Sequence, residues 1–179
     1  MEVDTVSAAV KRVAGKSNSP LPDAPPMAVN LSDPLLMLER EVLKAKLQVS
    51  ELAMRWSDIE ANAFSYLPYA AVRSKIDSLP EMNIASLLER TEDESVRGLI
   101  TELIVEPIRT DGEVSERYVA SIIARLREVA LSRDIAEIKS TLQRVNPVSE
   151  EERYNEIFGA LVAKEAQRRA QKELAIGEL

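Results

Sequence analysis

From Ser115 to Val145 the chain runs without a proline or a glycine, and this stretch limits the possible folds more than any other. A single helix over about 30 residues would be about 45 Å long, well beyond the globular average. Its apolar stripe changes phase partway. Val119, Ile122, Leu126 and Val129 recur at helical spacing, and Leu131, Ile135, Ile138, Leu142 and Val145 recur again. Between Val129 and Leu131 the step is only two residues, a rotation of about 200° about the axis. One neighbouring surface cannot bury both stripes, so the helix is expected to leave one hydrophobic core and enter a second.

The second core has a mate downstream. Asn146-Pro147 stops the long helix, and Ser149-Glu150-Glu151-Glu152 has the form of a capping box, with acids at the positive end of the next helix. Tyr154, Ile157, Phe158, Leu161 and Val162 follow at i, i+3, i+4, i+7 and i+8. A connection of about four residues predicts an antiparallel hairpin. A two-helix hairpin buries one seam, so apolar surface left over on it is a candidate docking face.

Upstream, the signals from Ser32 onward are almost all helical. Asp33-Pro34 is an N-cap followed by proline at the first helical position. Leu35, Leu38, Val42 and Ala45 then form one face, widened by Leu36, Leu43 and Leu47. Ser50 can cap a short helix through Trp56, with an irregular stretch from Ser57 to Tyr66. Pro68 opens a helix carrying Ala71, Val72 and Ile76, which Leu79-Pro80 closes. Asn83 caps a turn through Leu88. Thr91-Glu92-Asp93-Glu94 reads as a capping box before Val96, Leu99, Ile100, Leu103 and Ile104, and Asp111-Gly112 marks a turn. No sustained period-two alternation occurs, so the predicted fold is all-α. Four of the nine prolines fall in Pro20 to Pro26, a stiff, extended linker. The amphipathic stretch Val6 to Ala14 before it has no partner and reads as the end of an upstream domain. The expected organisation is residues 1–32 as domain end plus linker, 33–130 as a helical bundle, and 131–179 as a helical hairpin.

Composition narrows the chemistry. The 179 residues contain no cysteine and no histidine, which removes disulfides, thiolate nucleophiles, the usual base near neutral pH and the commonest zinc ligand. The five glycines are scattered singly, so no phosphate-cradling loop can be written. A formal net charge of -7 argues against a general DNA-binding surface. The acids are concentrated in residues 33–130, with 18 against 12 bases, whereas residues 131–179 hold nine against eight. An acidic partner would therefore meet the hairpin more readily than the bundle. Asp58 and Glu60, or Glu92 to Glu94, could be acid/base carboxylates, but without a base or cation nearby they read as a solvated loop and a helix start. Trp56, Phe64, Tyr66 and Tyr69 cluster in a way that favours core packing over a pocket. Ser57, Ser74 and Lys75 lack the spacing of a serine–lysine nucleophile. Arg168, Arg169 and Lys172 either complement the negative end of the last helix or bind phosphate or an acidic partner. No long apolar run and no signal-peptide layout is present, so the expected setting is soluble and cytoplasmic.

Residues from about Asp33 to Leu174 resemble the helicase-binding C-terminal domain of bacterial DnaG-type replicative DNA primases in its actinobacterial form. The resemblance rests on Leu67-Pro68-Tyr69-Ala70-Ala71-Val72-Arg73-Ser74-Lys75-Ile76-Asp77, on Arg117-Tyr118-Val119 through Leu126, and on Ile135-Ala136-Glu137-Ile138-Lys139-Ser140 to Asn146-Pro147. Glu152-Arg153-Tyr154, Phe158-Gly159 and Arg168-Arg169 continue it. It implies a bundle of about five or six helices, a long connecting helix and a terminal hairpin. It also implies that the hairpin docks on the N-terminal collar of the hexameric replicative helicase of the DnaB type. Primer RNA synthesis would belong to upstream domains, leaving this region without catalytic, cofactor-binding or metal-ligating residues of its own. Tyr154, Phe158, Leu161, Arg168 and Arg169 are then the candidates for helicase contact or hairpin integrity, since large apolar and arginine side chains anchor such interfaces. Direct nucleic-acid binding is expected to be weak or absent, and no membrane is involved. The alternatives are the helicase's own N-terminal domain, which shares the bundle, a stand-alone helical enzyme using carboxylates, and single-strand binding through Arg168, Arg169 and Lys172.

Overall fold

The computed structural model describes residues 32–110 and 112–176. Among them lie six α-helices and no strand, as the sequence predicts: α1 (Pro34–Gln48), α2 (Leu67–Asp77), α3 (Ile84–Glu89), α4 (Glu94–Val105), α5 (Glu116–Leu142) and α6 (Glu151–Ile176). The Pro-rich stretch, the amphipathic stretch before it and Asp111 lie outside the described residues.

Helices α1 and α3 begin where their caps predict, and α5 begins at the head of the proline- and glycine-free stretch, capped by Ser115. The Asp33 carboxylate accepts from the Leu35 backbone N–H at 2.8 Å, Asn83 from Ser86 at 3.0 Å, and Ser115 from Tyr118 at 3.2 Å. The start of α4 differs from the expected capping box. Asp93 is its cap, accepting from the Ser95 and Val96 N–H groups at 2.9 and 3.1 Å. Thr91 is buried and donates its hydroxyl to the Leu87 carbonyl at 2.7 Å, closing the end of α3 instead. Ser50 likewise caps no helix. Three short 3₁₀ turns, Ser50–Leu52, Met54–Asp58 and Ala61–Ala63, carry the chain from α1 to α2. They turn Ala53, Trp56, Ile59, Ala63 and Phe64 inward.

Helix α1 forms the axis of the bundle. Val42, Leu43, Ala45 and Leu47 are buried in one cluster with Tyr69, Val72 and Ile76 of α2, Ile100 and Leu103 of α4, and Val119, Ile123 and Leu126 of α5. Its charged residues are enclosed too, and an unpaired charge there would cost several kcal/mol. Glu39 accepts from the Ser65 N–H at 2.7 Å and from the Tyr66 N–H at 3.3 Å. It thereby caps α2, which has no side-chain cap of its own. Lys44, fully buried, pairs with Glu41, reaches Glu106 at 3.2 Å and donates to the Pro107 carbonyl at 2.8 Å. Arg40 pairs with Glu106 and Glu102, and Glu41 accepts from the Arg109 N–H at 3.0 Å. These charges tie α1 to the start of α2 and the end of α4.

Helix α5 passes unbroken through the position where its stripe changes phase. Val119, Ile123, Leu126 and Ala130 belong to the bundle cluster, with Ile122 at its margin. Leu131, Ile135 and Val145 are buried outside that cluster. The connection to α6 runs over residues 143–150, longer than expected. The last turn of α5 tightens, with Arg144 N–H donating to the Thr141 carbonyl at 3.0 Å. Asn146 then accepts from the Val148 and Ser149 N–H groups at 2.9 and 3.4 Å. Helix α6 returns antiparallel along α5, and all described residues fall within one compact unit.

Candidate partner-docking surface

Helix α6 turns one face to α5. Tyr154, Ile157, Leu161, Lys164, Arg168 and Gln171 recur at steps of three and four, and each is partly or fully buried. The seam is apolar beside the connecting loop and polar towards the helix end. Three cross-helix contacts fix the register: Lys139 to Glu165 at 2.9 Å, Lys164 to Asp134 at 2.7 Å, and Arg127 to the Gln171 side-chain oxygen at 3.0 Å. The last of these lies beside the part of α5 that belongs to the bundle. The hairpin is therefore joined to the bundle by contacts along α6 as well as by the long helix.

The five predicted residues occupy two levels. Tyr154 and Phe158 stack near the loop, with ring centroids 6.3 Å apart and planes 6° apart. Tyr154 is half-buried and borders a shallow groove with Lys139, Leu142 and Gln143. Phe158 is 48% exposed, Val162 one turn later is 55% exposed, and Val148 in the loop is 88% exposed. Leu161 is partly buried on the face of α6 turned to α5. Arg168 pairs with Glu165 at 2.7 Å, and Arg169 with Glu173 at 3.2 Å. Phe158 and Arg169 are eleven residues apart, about 16 Å along the axis. The aromatic pair thus marks the outer end of the hairpin and the arginines its base.

Charge on the hairpin is locally matched. The Lys139 hydrogen bond holds the Glu165 carboxyl below its ordinary value, and Arg153 does the same for Glu150 in the loop. The Asp134 carboxylate raises Lys164 above the usual lysine value. The sequence reading missed the exposure of Val162. Tyr154, Ile157 and Leu161 lie on one side of the apolar stripe and Phe158 and Val162 on the other. A single partner helix covers only the first side, and the width of the stripe was the available signal.

The other candidates have structural employment. Trp56 and Phe64 pack in the bundle, with the indole N–H donating to Asp77 at 2.7 Å, and Tyr66 meets Tyr69 edge to face at 4.9 Å. Asp58 pairs with Arg55 and Arg127, and Glu60 with Lys164. Among the described residues no three acidic side chains converge as metal ligands, and no helix is long and apolar enough to cross a membrane.

A charged helical bundle whose longest helix extends into a hairpin with an uncovered aromatic and aliphatic edge defines an all-α docking module. The family described as DNA primase DnaG DnaB-binding matches residues 39–157, two thirds of the chain, and the chain belongs to it. The DNA primase of Mycobacterium leprae is 40% identical over 155 residues, covering 82% of this chain and 24% of that protein. The Mycolicibacterium smegmatis primase is 37% identical over 175 residues, with coverages of 92% and 28%. The Streptomyces coelicolor primase is 33% identical over 132 residues, with coverages of 66% and 21%. A solved structure, the helicase binding domain of primase from Mycobacterium tuberculosis, superposes with a TM-score of 0.65 at 38% identity, covering 79% of this chain and 94% of that one. The family reached is that of the primases, not the helicase N-terminal domain held as an alternative. The chain spans about a quarter of the length of the mycobacterial relatives it matches.

Proposed function

We propose that this chain is the helicase-interaction domain of a bacterial DNA primase and docks it onto the hexameric replicative helicase of the DnaB type. Primer RNA synthesis is assigned to other parts of the primase, and the setting is the cytoplasmic replication machinery. Residues 33–130 act as the supporting bundle and residues 131–179 as the docking hairpin. Tyr154 and Phe158, with Val162, form the contact edge, Leu161 keeps the hairpin closed, and Arg168 and Arg169 supply charge at its base. The observation that carries this reading is the exposed Phe158, stacked on the seam residue Tyr154 and set beside Val162 on the side of α6 that α5 leaves uncovered, in a chain of the primase family. Aromatic and arginine side chains dominate the energetics of such interfaces.

Calorimetric titration of the helicase hexamer with the intact chain and with a chain lacking residues 147–179 tests it. Loss of binding is expected. Phe158→Ala serves as the companion variant, because deleting α6 also uncovers Leu131 and Ile135. Undiminished affinity in both variants removes the hairpin from the function.

A further inference from the structure

The base of the hairpin meets the bundle through a cluster of a different character from the rest of the fold. On the bundle side stand Asp58, Glu60 and the carbonyls of Asn62 and Ala63, all in the 3₁₀ region between α1 and α2. On the hairpin side, Arg133 of α5 donates to the Asn62 and Ala63 carbonyls at 3.0 and 2.7 Å. Arg127 bridges Asp58 at 3.4 Å and Gln171 of α6 at 3.0 Å. Lys164 of α6 bridges Asp134 at 2.7 Å and Glu60 at 3.4 Å. Between these contacts lies a cavity of about 20 Å³, lined by Ala63, Ala130, Leu131 and Gln167 with the charged groups.

We propose that this cluster is a latch: Lys164 and Arg127 hold the C-terminal half of α6 on the bundle through polar contacts that can open while the apolar seam beside the loop stays shut. The two ends of α6 differ in physical kind. Near the loop the seam is made by Tyr154, Ile157 and Leu161 against α5, which is burial that added salt does not weaken. At the base the contacts across to α5 and the bundle come from Lys164 and Gln171, with Leu174 partly buried a turn beyond. Glu60 is more than half exposed and Asp58 more than a third, so screening ions reach both pairs. The apolar groups at the junction are small in number and surround a void, so packing does little to replace a lost ion pair. An open latch lets the base of α6 lift from the 3₁₀ region and changes the angle at which the hairpin leaves the bundle. Lys164 and Arg127 are then positioning residues for the aromatic edge, a consequence that rests on the helicase-docking reading above.

The test begins on the protein alone. The absence of native cysteine allows clean labelling. One spin-label pair at Met54→Cys and Ile176→Cys reports the base, since both positions are exposed. A second pair at Ala136→Cys and Phe158→Cys reports the upper hairpin. Raising salt from about 0.05 M to 1 M shortens the Debye length from roughly 14 Å to 3 Å. This is expected to lengthen and broaden the 54–176 distance distribution and leave the 136–158 distribution unchanged. Lys164→Glu should have the same effect at low salt, and adding Asp134→Lys should reverse it. A 54–176 distribution indifferent to salt and to Lys164→Glu overturns the proposal, as does equal broadening of both pairs. If the latch opens as described and Lys164→Glu leaves helicase affinity unaltered, the latch stands and its role in docking fails.

Discussion

Replacing one buried aliphatic residue on each side of the phase change in α5 should have two separable consequences. Leu126 is fully buried in the bundle cluster, and Ile135, 3% exposed, is buried outside it. Truncation of such residues to alanine costs about 2–5 kcal/mol, so about 3 kcal/mol is a fair value for each. Trp56 is the single tryptophan and packs in the bundle, so its fluorescence reports unfolding of that core alone. With a urea dependence of about 2 kcal/mol/M, Leu126→Ala should lower the Trp56 midpoint by about 1.5 M. Ile135→Ala should move that midpoint far less, because its loss falls on local opening of the hairpin. At about 1.4 kcal/mol per factor of ten, amide exchange in residues 151–161 should then accelerate roughly 150-fold. Equal midpoint shifts for the two variants would mean that the bundle and hairpin form one cooperative core, and the two-core reasoning would be wrong.

Glu39→Gln keeps one acceptor oxygen at the start of α2 but turns an amide N–H₂ towards a backbone donor, so a loss of about 1.5–3 kcal/mol is expected in thermal melts; a loss below about 0.5 kcal/mol would contradict the capping role. The Arg40 hydrogen bond holds Glu106 below its ordinary 4.5, so this contribution to stability is complete above about pH 4.5 and is lost as pH falls through the folded value. Glu106→Gln should flatten that part of the acid limb in chemical denaturation, and an unchanged pH slope would refute the assignment. Arg169→Ala should leave stability within about 0.5 kcal/mol, since its pair with Glu173 is solvent-exposed. The same variant should slow helicase association and weaken its salt dependence in stopped-flow measurements; an unchanged rate would remove Arg169 from the interface.

Much of this architecture was readable from local chemistry. Asp33-Pro34 and Asn83 announce their helices because a cap acts within a few residues, and the phase change after Val129 shows in plain spacing. What escaped the sequence depends on distant partners. Glu39, Arg40, Glu41 and Lys44 look like a solvated face, yet they are enclosed because their distant partners, from Ser65 to Arg109, lie 26 to 68 residues away in the chain. The Thr91 hydroxyl suits a cap, and its spacing to Glu94 predicts one. Burial gave it the Leu87 carbonyl instead, and Asp93 took the cap. On α6 the stripe marked the proposed docking helix but could not say which edge α5 would leave uncovered. The polar base was invisible, since nothing near Lys164 in sequence points to Glu60.

The most direct test of the central claim, that the outer edge of the hairpin grips the helicase, is site-specific photocrosslinking. A benzophenone amino acid is placed at position 158 in one protein and at the still more accessible position 67 of the bundle in another. Each is irradiated with the helicase hexamer and the products are mapped by mass spectrometry. The account predicts abundant helicase adducts from position 158 and few from position 67. Adducts from position 67 with none from position 158 would contradict it.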